Sequence, residues 1–143
     1  MTHVGKVYAL FYSPLSGRTD STALQCDPKG IIEDKHYNKK LERSVLLTSI
    51  ESYALLEKHG INALHGSLGE NLLLDYNPYA LATGTRLKIG NVELEISQLC
   101  TLCKSLVSVD AKVPKLLKDD RGVFAKVISS GTIRKDDSIY ILN

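Results

Sequence analysis

The chain has 143 residues, of which 43% are hydrophobic and 24% charged, with a formal net charge of +2. That length suits one domain, residues 1–143, able to bury about two-thirds of its unfolded surface without staples, and the composition argues against global disorder. So weak a charge gives no argument for nucleic acid or a membrane surface as the main partner, and the short apolar runs argue against a bilayer span.

The cysteines are Cys26, Cys100 and Cys103. An odd, small number argues against a secreted disulfide framework. Met1 to Leu10 lacks the basic start, long apolar core and small-residue cleavage site of a signal peptide. The expected location is therefore the reducing cytoplasm, where thiols stay available for chemistry.

In chain order, Val4 to Phe11 is predicted as a buried strand, broken by Ser13-Pro14 and Ser16-Gly17. Ala23 to Cys26 is a second short strand, and the charged stretch from Gly30 to Glu42 reads as a long surface loop. After the apolar run Ser44 to Leu47, Thr48 and Glu51 have capping-box spacing, which predicts a helix over roughly Ser49 to His59 with Thr48 as N-cap. Its expected apolar face is Ile50, Ala54 and Leu55, and Lys58, His59 and Gly60 form its stop. Leu72 to Leu74 is a short strand. Arg86 to Ile89 and Val92 to Ile96 flank the hairpin signal Gly90-Asn91. Val92, Leu94 and Ile96 alternate with Glu93 and Glu95, so one face is buried and the other wet. Pro114 to Lys118 is predicted as one or two helical turns. Val123 to Ile128 and Ser138 to Leu142 close the chain as strands around a turn at Ser130-Gly131. Many short strands with so few helices point to a barrel or rolled sheet.

Four groupings can carry chemistry. Cys100-Thr101-Leu102-Cys103 places two thiols three apart, a spacing that serves soft-metal chelation, a redox disulfide, one nucleophilic thiolate, or two inert core thiols. Lys104 favours the thiolate if it points inward, while a protein-only zinc site lacks a second ligand pair. Gly69-Glu70-Asn71 puts a glycine and an amide before a strand, as a ligand contact or as an ordinary turn. Asp34-Lys35-His36 with Arg43 makes a locally basic region, suited either to a phosphate or to solvent. Arg121-Gly122 offers an anion clamp or a plain turn before a strand. His3, His59 and His65 have no such company, and His59 is expected at the helix C-terminus for electrostatic reasons.

Taken together these segments resemble the MOSC family in its short, stand-alone form. Gly30-Ile31-Ile32-Glu33-Asp34-Lys35-His36 is similar to the family's glycine followed by Gly-Asp-x-His. Gly69-Glu70-Asn71-Leu72 is similar to its Gly-Glu-Asn-Leu, and Gly84-Thr85-Arg86-Leu87-Lys88-Ile89-Gly90 to its Gly-x-x-Leu-x-Ile-Gly. Leu94 to Gln98 leads into the cysteine segment as the family pattern does. Ser13 to Gly17, Arg43 to Leu47, Arg121 to Val127 and Gly131 to Ile133 complete a match over nearly the whole chain. Glu33 departs from the pattern where a glycine is usual, and Asp136 stands in a closing Gly-Asp pair whose Asp137 is kept.

The resemblance implies a mainly β, barrel-like fold with one main helix and one or two short ones. It also implies molybdenum-cofactor binding or sulfur carriage by a reactive cysteine, with molybdenum-ion and pyridoxal-phosphate binding among the family's associations. These 143 residues hold no pyridoxal-phosphate desulfurase domain, so sulfur is not expected to be generated by that route. Carried over residue by residue, Cys103 is the reactive cysteine and molybdenum ligand, and Cys100 is the extra cysteine of the short forms. His36, Arg43, Asn71 and Arg121 are expected to line the same cleft and bind the cofactor. The implied cofactors are the molybdenum cofactor or a cysteine persulfide, and the implied partners molybdopterin or a sulfur donor or acceptor protein. A metal-binding or thiol-redox domain using both cysteines, and a non-catalytic interaction module, remain the alternatives. Whether the chain turns over a substrate, and its oligomeric state, are left open by the residues.

Overall fold

A computed structural model describes residues 1–14, 17–100 and 109–142. The strands are β1 (Thr2–Tyr12), β2 (Thr19–Ser21), β3 (Ala23–Asp27), β4 (Gly30–Ile31), β5 (Val45–Ser49), β6 (Leu72–Leu74), β7 (Arg86–Ile89), β8 (Val92–Leu99), β9 (Val123–Ser129), β10 (Gly131–Arg134) and β11 (Ser138–Leu142). The helices are α1 (Ile50–Lys58) and the short α2 (Val113–Leu116), with a 3-10 turn at Leu41–Arg43. One main helix and a mainly β architecture are as expected from the sequence.

Seven strands close a ring in the order β1, β11, β7, β8, β9, β5, β6 and back to β1. Every neighbouring pair is antiparallel except β5 and β6, which run parallel with Leu47 opposite Leu72. Strand β1 is long enough to serve three partners: β11 along Thr2 to Lys6, β6 along Val7 to Leu10, and β2 along Leu10 to Tyr12. Closure removes the open edges that would otherwise invite aggregation.

The alternation read from Val92 to Ile96 continues through the neighbouring strands and fills this barrel. Leu87 and Ile89 of β7, Val92, Leu94 and Ile96 of β8, and Val123, Ala125 and Val127 of β9 all point into one buried cluster. Glu93 and Glu95 face outward and form ion pairs with Arg86, with Lys126 also on Glu95. A second cluster lies outside the barrel wall and joins Phe11, Tyr53, Leu56, Leu68, Leu73, Val113 and Leu117. Two cores explain why β6 is an uninterrupted Leu-Leu-Leu: Leu72 and Leu74 belong to the barrel, and Leu73 to the outer layer.

Four expectations are corrected. The N-cap of α1 is Ser49, whose Oγ accepts a hydrogen bond from the Glu51 N–H at 3.0 Å. Thr48 remains in β5 and its Oγ1 donates to the Arg121 carbonyl at 2.8 Å, so a tertiary partner took the hydroxyl that capping-box spacing had claimed. The buried face of α1 is Ser52, Tyr53 and Leu56, with Ala54 exposed. The stretch from Gly30 to Glu42 is not all surface: Gly30–Ile31 pairs with β3, and Asp34 is buried. The final turn also lies elsewhere. Gly131 begins β10, which leaves the barrel to pair with β3, and the chain reverses at Arg134 to Asp137, where Asp136 has a φ of 72°. Strands β2, β4 and β10, of two to four residues, carry too little periodicity to be read from the sequence.

Candidate functional site

The Gly69-Glu70-Asn71 motif sits where β1, β5 and the chain before β9 meet. Asn71 bonds both strands with its backbone: its N–H donates to the Leu46 carbonyl at 2.9 Å, and its carbonyl accepts from the Phe11 N–H at 2.8 Å. Its side chain repeats the pattern. Oδ1 accepts from the Leu46 N–H at 3.0 Å, and Nδ2 donates to the Phe11 carbonyl at 3.2 Å and reaches Asp34 Oδ1 at 3.5 Å. The amide thus acts as an extra peptide unit that locks β1 to β5.

Asp34 is the next link. Its carboxylate accepts from the Ser13 N–H at 2.7 Å, from the His36 N–H at 3.0 Å, and from His36 Nδ1 at 2.9 Å. Burial by itself would raise this carboxyl, but the hydrogen bonds from His36 and Ser13 outweigh it and hold Asp34 below the usual carboxylate range. The His36 side chain is 58% exposed, against 1% for Asp34. Glu33, where the resemblance expects glycine, is exposed and is not among the residues with positive φ. Asp136, the other departure, does adopt the glycine-like conformation.

On the other side of Asn71, Arg121 is 8% exposed and its Nε donates to the Leu68 carbonyl at 3.1 Å. Gly69 has a φ of +90°, and a Cβ there would lie 3.1 Å from Arg121 Nη2, so only glycine lets the guanidinium lie against this turn. Gly122 is under a similar demand: a Cβ would come within 2.8 Å of Leu46 Cδ1 and 2.9 Å of the Leu47 carbonyl. Directly beside it, the Cys100 N–H donates to the Gly122 carbonyl at 2.9 Å, and Cys100 is 3% exposed. Arg43 is exposed at the barrel surface with its guanidinium 4.8 Å from the Phe124 ring centroid. Phe124 lies opposite Leu46 and Gln98 in the ladders.

Direct contacts therefore run from Cys100 through Gly122 and Arg121 to the Gly69 turn, and from Asn71 to Asp34 and His36. Arg43 stands apart from that chain of contacts, on the Phe124 ring. Cys103, Lys104 and the rest of 101–108 lie outside the described residues. Among the described residues no group of three or more His, Cys, Asp or Glu could hold a metal ion. The third cysteine, Cys26, is buried, and burial followed by its neighbour Asp27 pushes its thiol up to about 12, which makes it unreactive at neutral pH.

Sequence reasoning missed a further part of this network. Arg18 donates to Ser13 Oγ at 2.8 Å and to the Glu70 carbonyl. Glu70 is fully buried, and its Oε2 accepts from Tyr53 OH at 2.6 Å and from the Gly66 N–H at 3.1 Å. Burial first, then the Glu70 charge, pushes the Tyr53 hydroxyl well above its ordinary range. Gly66, Arg18 and Phe11 also line a cleft of about 730 Å³ with Tyr8, His65 and Lys135. His65, which had no company in the sequence, packs edgewise against Tyr53 and Tyr8, with ring centroids 4.7 and 5.5 Å away. The signal for Tyr53 was present in its spacing from Ile50 and Leu56 along α1; Arg18 gave none.

The MOSC domain model matches residues 33–140, and the chain belongs to the MOSC domain family. This family is associated with molybdenum-cofactor binding or sulfur-related function. Solved structures share the fold. The YuaD protein from Bacillus subtilis aligns over 95% of this chain and 94% of its own, at 17% identity and a TM-score of 0.78. YiiM from Escherichia coli aligns over 100% of this chain and 70% of its own, at 17% identity and a TM-score of 0.74. YiiM from Geobacillus stearothermophilus aligns over 99% of this chain and 75% of its own, at 15% identity and a TM-score of 0.68. Comparison with curated proteins gives no sequence match. Among the described residues no helix is long and apolar enough to cross a membrane.

Proposed function

We propose that this domain binds molybdenum cofactor or carries sulfur, with Cys103 as the reactive thiolate and Cys100 as its neighbour. One observation carries the reading. The strand end that delivers the Cys100 to Cys103 segment is hydrogen-bonded to Gly122, next to the buried cation Arg121. Were the Arg121 guanidinium to come near the Cys103 sulfur, it would favour the thiolate, the form that holds a soft metal or sulfane sulfur. The donor set suits an anionic group that needs one soft ligand: Arg121 supplies positive charge, His36 a ring nitrogen, and Asn71 the fixed frame between them, while Arg43 lies apart on the Phe124 ring. When bound, the cofactor would supply a redox-active metal centre; the chain's part is to hold it and keep the thiol ionised. In the sulfur-carrier form, the Cys103 thiolate attacks the outer sulfur of a donor protein's cysteine persulfide, the donor's S–S bond breaks and its cysteine leaves as thiolate. The Cys103 persulfide then passes that sulfur to an acceptor nucleophile in the same way.

The test is copurification. Molybdopterin, or a persulfide taken from a sulfur donor, should be recovered with the wild-type chain and lost in Cys103→Ser. A wild-type chain that retains neither overturns the reading. Stoichiometric zinc, or a reversible Cys100–Cys103 disulfide, assigns the motif to metal or redox chemistry instead.

A further inference from the structure

His36 is built as an oriented imidazole. Its Nδ1 lies 2.9 Å from Asp34 Oδ2, and its own backbone N–H donates to the same oxygen at 3.0 Å. Asp34 in turn is fixed by the Ser13 N–H and by Asn71, and its side chain is 1% exposed, so it cannot swing away to solvent. The carboxylate is an acceptor only, so the hydrogen between the two must sit on Nδ1. In the neutral ring that leaves the lone pair on Nε2. The ring is more than half exposed, and no partner for Nε2 is found among the described residues. A buried carboxylate that sets the tautomer of an outward-facing imidazole is the arrangement that prepares a histidine to accept a proton.

We propose that His36 is a proton-transfer residue, with Nε2 as the acceptor and Asp34 as the positioning residue that fixes its tautomer. The ligand class is one that presents an ionisable O–H, N–H or S–H to this loop. Nε2 takes the proton, and the electron pair of the broken bond stays on the ligand atom. The ring becomes an imidazolium with Nδ1–H retained, its charge is balanced by the Asp34 carboxylate, and the proton leaves to water. This gives His36 a different part from that of a simple phosphate contact. It rests on the proposed function only in taking this loop to face the ligand; the tautomer itself is measured with no cofactor or sulfur present.

The experiment is two-bond nitrogen–proton NMR on the full 15N-labelled chain in neutral to mildly alkaline buffer, followed by labelling with diethyl pyrocarbonate read by peptide mass spectrometry. The wild-type His36 should be mainly Nδ1–H, and Asp34→Asn should move the tautomer ratio by about tenfold toward Nε2–H, the size expected for loss of a charge-assisted hydrogen bond. Labelling of His36 should slow in that variant while labelling of His59, which bonds the Leu55 carbonyl on another element, stays unchanged. If Asp34→Asn perturbs the fold, the wild-type tautomer still decides. A wild-type ring that is mainly Nε2–H overturns the proposal, as does a folded Asp34→Asn chain with an unchanged ratio and labelling rate. Loss of molybdopterin and persulfide with the predicted tautomer would sink the proposed function and leave the dyad standing.

Discussion

Asn71 shows how a motif residue can hold a site together through its own amide. Replacing it with alanine strands the buried Leu46 N–H, and should cost about 1–3 kcal/mol in urea unfolding. Asn71→Asp should be worse than Asn71→Ala near neutral pH, because a carboxylate oxygen would then face the Phe11 carbonyl and Asp34. Asp34 makes a prediction in pH. Its folded carboxyl lies below the ordinary value, so its contribution is fully present above about pH 4 and is lost as pH falls through the depressed folded value. Asp34→Asn should therefore flatten the acid limb of stability against pH while lowering stability at neutral pH. An acid limb unchanged by the substitution contradicts the network. The motif residues were legible in the sequence as residues, but their roles were not. The partners of Asn71 lie 25 and 60 positions away, and nothing local in Gly69-Glu70-Asn71 distinguishes a frame from a ligand contact.

At the scale of elements, the helix is the instructive case. Its extent was readable as roughly Ser49 to His59, against the observed Ile50–Lys58, because the glycine stop at Gly60 is a local signal. Its cap and buried face were not, because Thr48 was claimed by Arg121 and Ser52 by Tyr79 and Asp120. Ser49→Ala should cost about 1 kcal/mol, as for loss of an N-cap, and should leave the Arg121 region untouched. Thr48→Ala should instead loosen the connection between β5 and the Arg121-Gly122 turn, which amide exchange at Cys100 would register. Strand β8 was the most legible, since the alternation of Val92, Leu94 and Ile96 with Glu93 and Glu95 matches the barrel's inside and outside directly. The outer pairs of Arg86 and Lys126 with Glu93 and Glu95 are solvent-facing and only partly buried, and contribute little to stability.

For the whole molecule, barrel closure depends on β1 meeting β11, a contact between the two ends of the sequence that local pattern cannot announce. The family resemblance carried that information where periodicity could not. The barrel interior sets the stability: Leu94 is fully buried among β-strand side chains, and Leu94→Ala should cost about 2–5 kcal/mol. Cys26, also in this cluster, predicts an alkaline effect. Its folded thiol is raised to about 12 against an ordinary value near 8.5, so the native state keeps a proton that the unfolded chain loses. Stability should fall as pH rises through that window, and Cys26→Ala should reduce the slope; an unaltered slope contradicts it. The central claim is that the Cys100 to Cys103 segment handles cofactor or sulfur beside Arg121. Mass spectrometry of the freshly purified native chain, with peptide mapping, tests it most directly. A bound molybdopterin, or one extra sulfur atom on the Cys103 peptide, is the predicted result. A chain that carries neither, even after exposure to a sulfur donor, contradicts it.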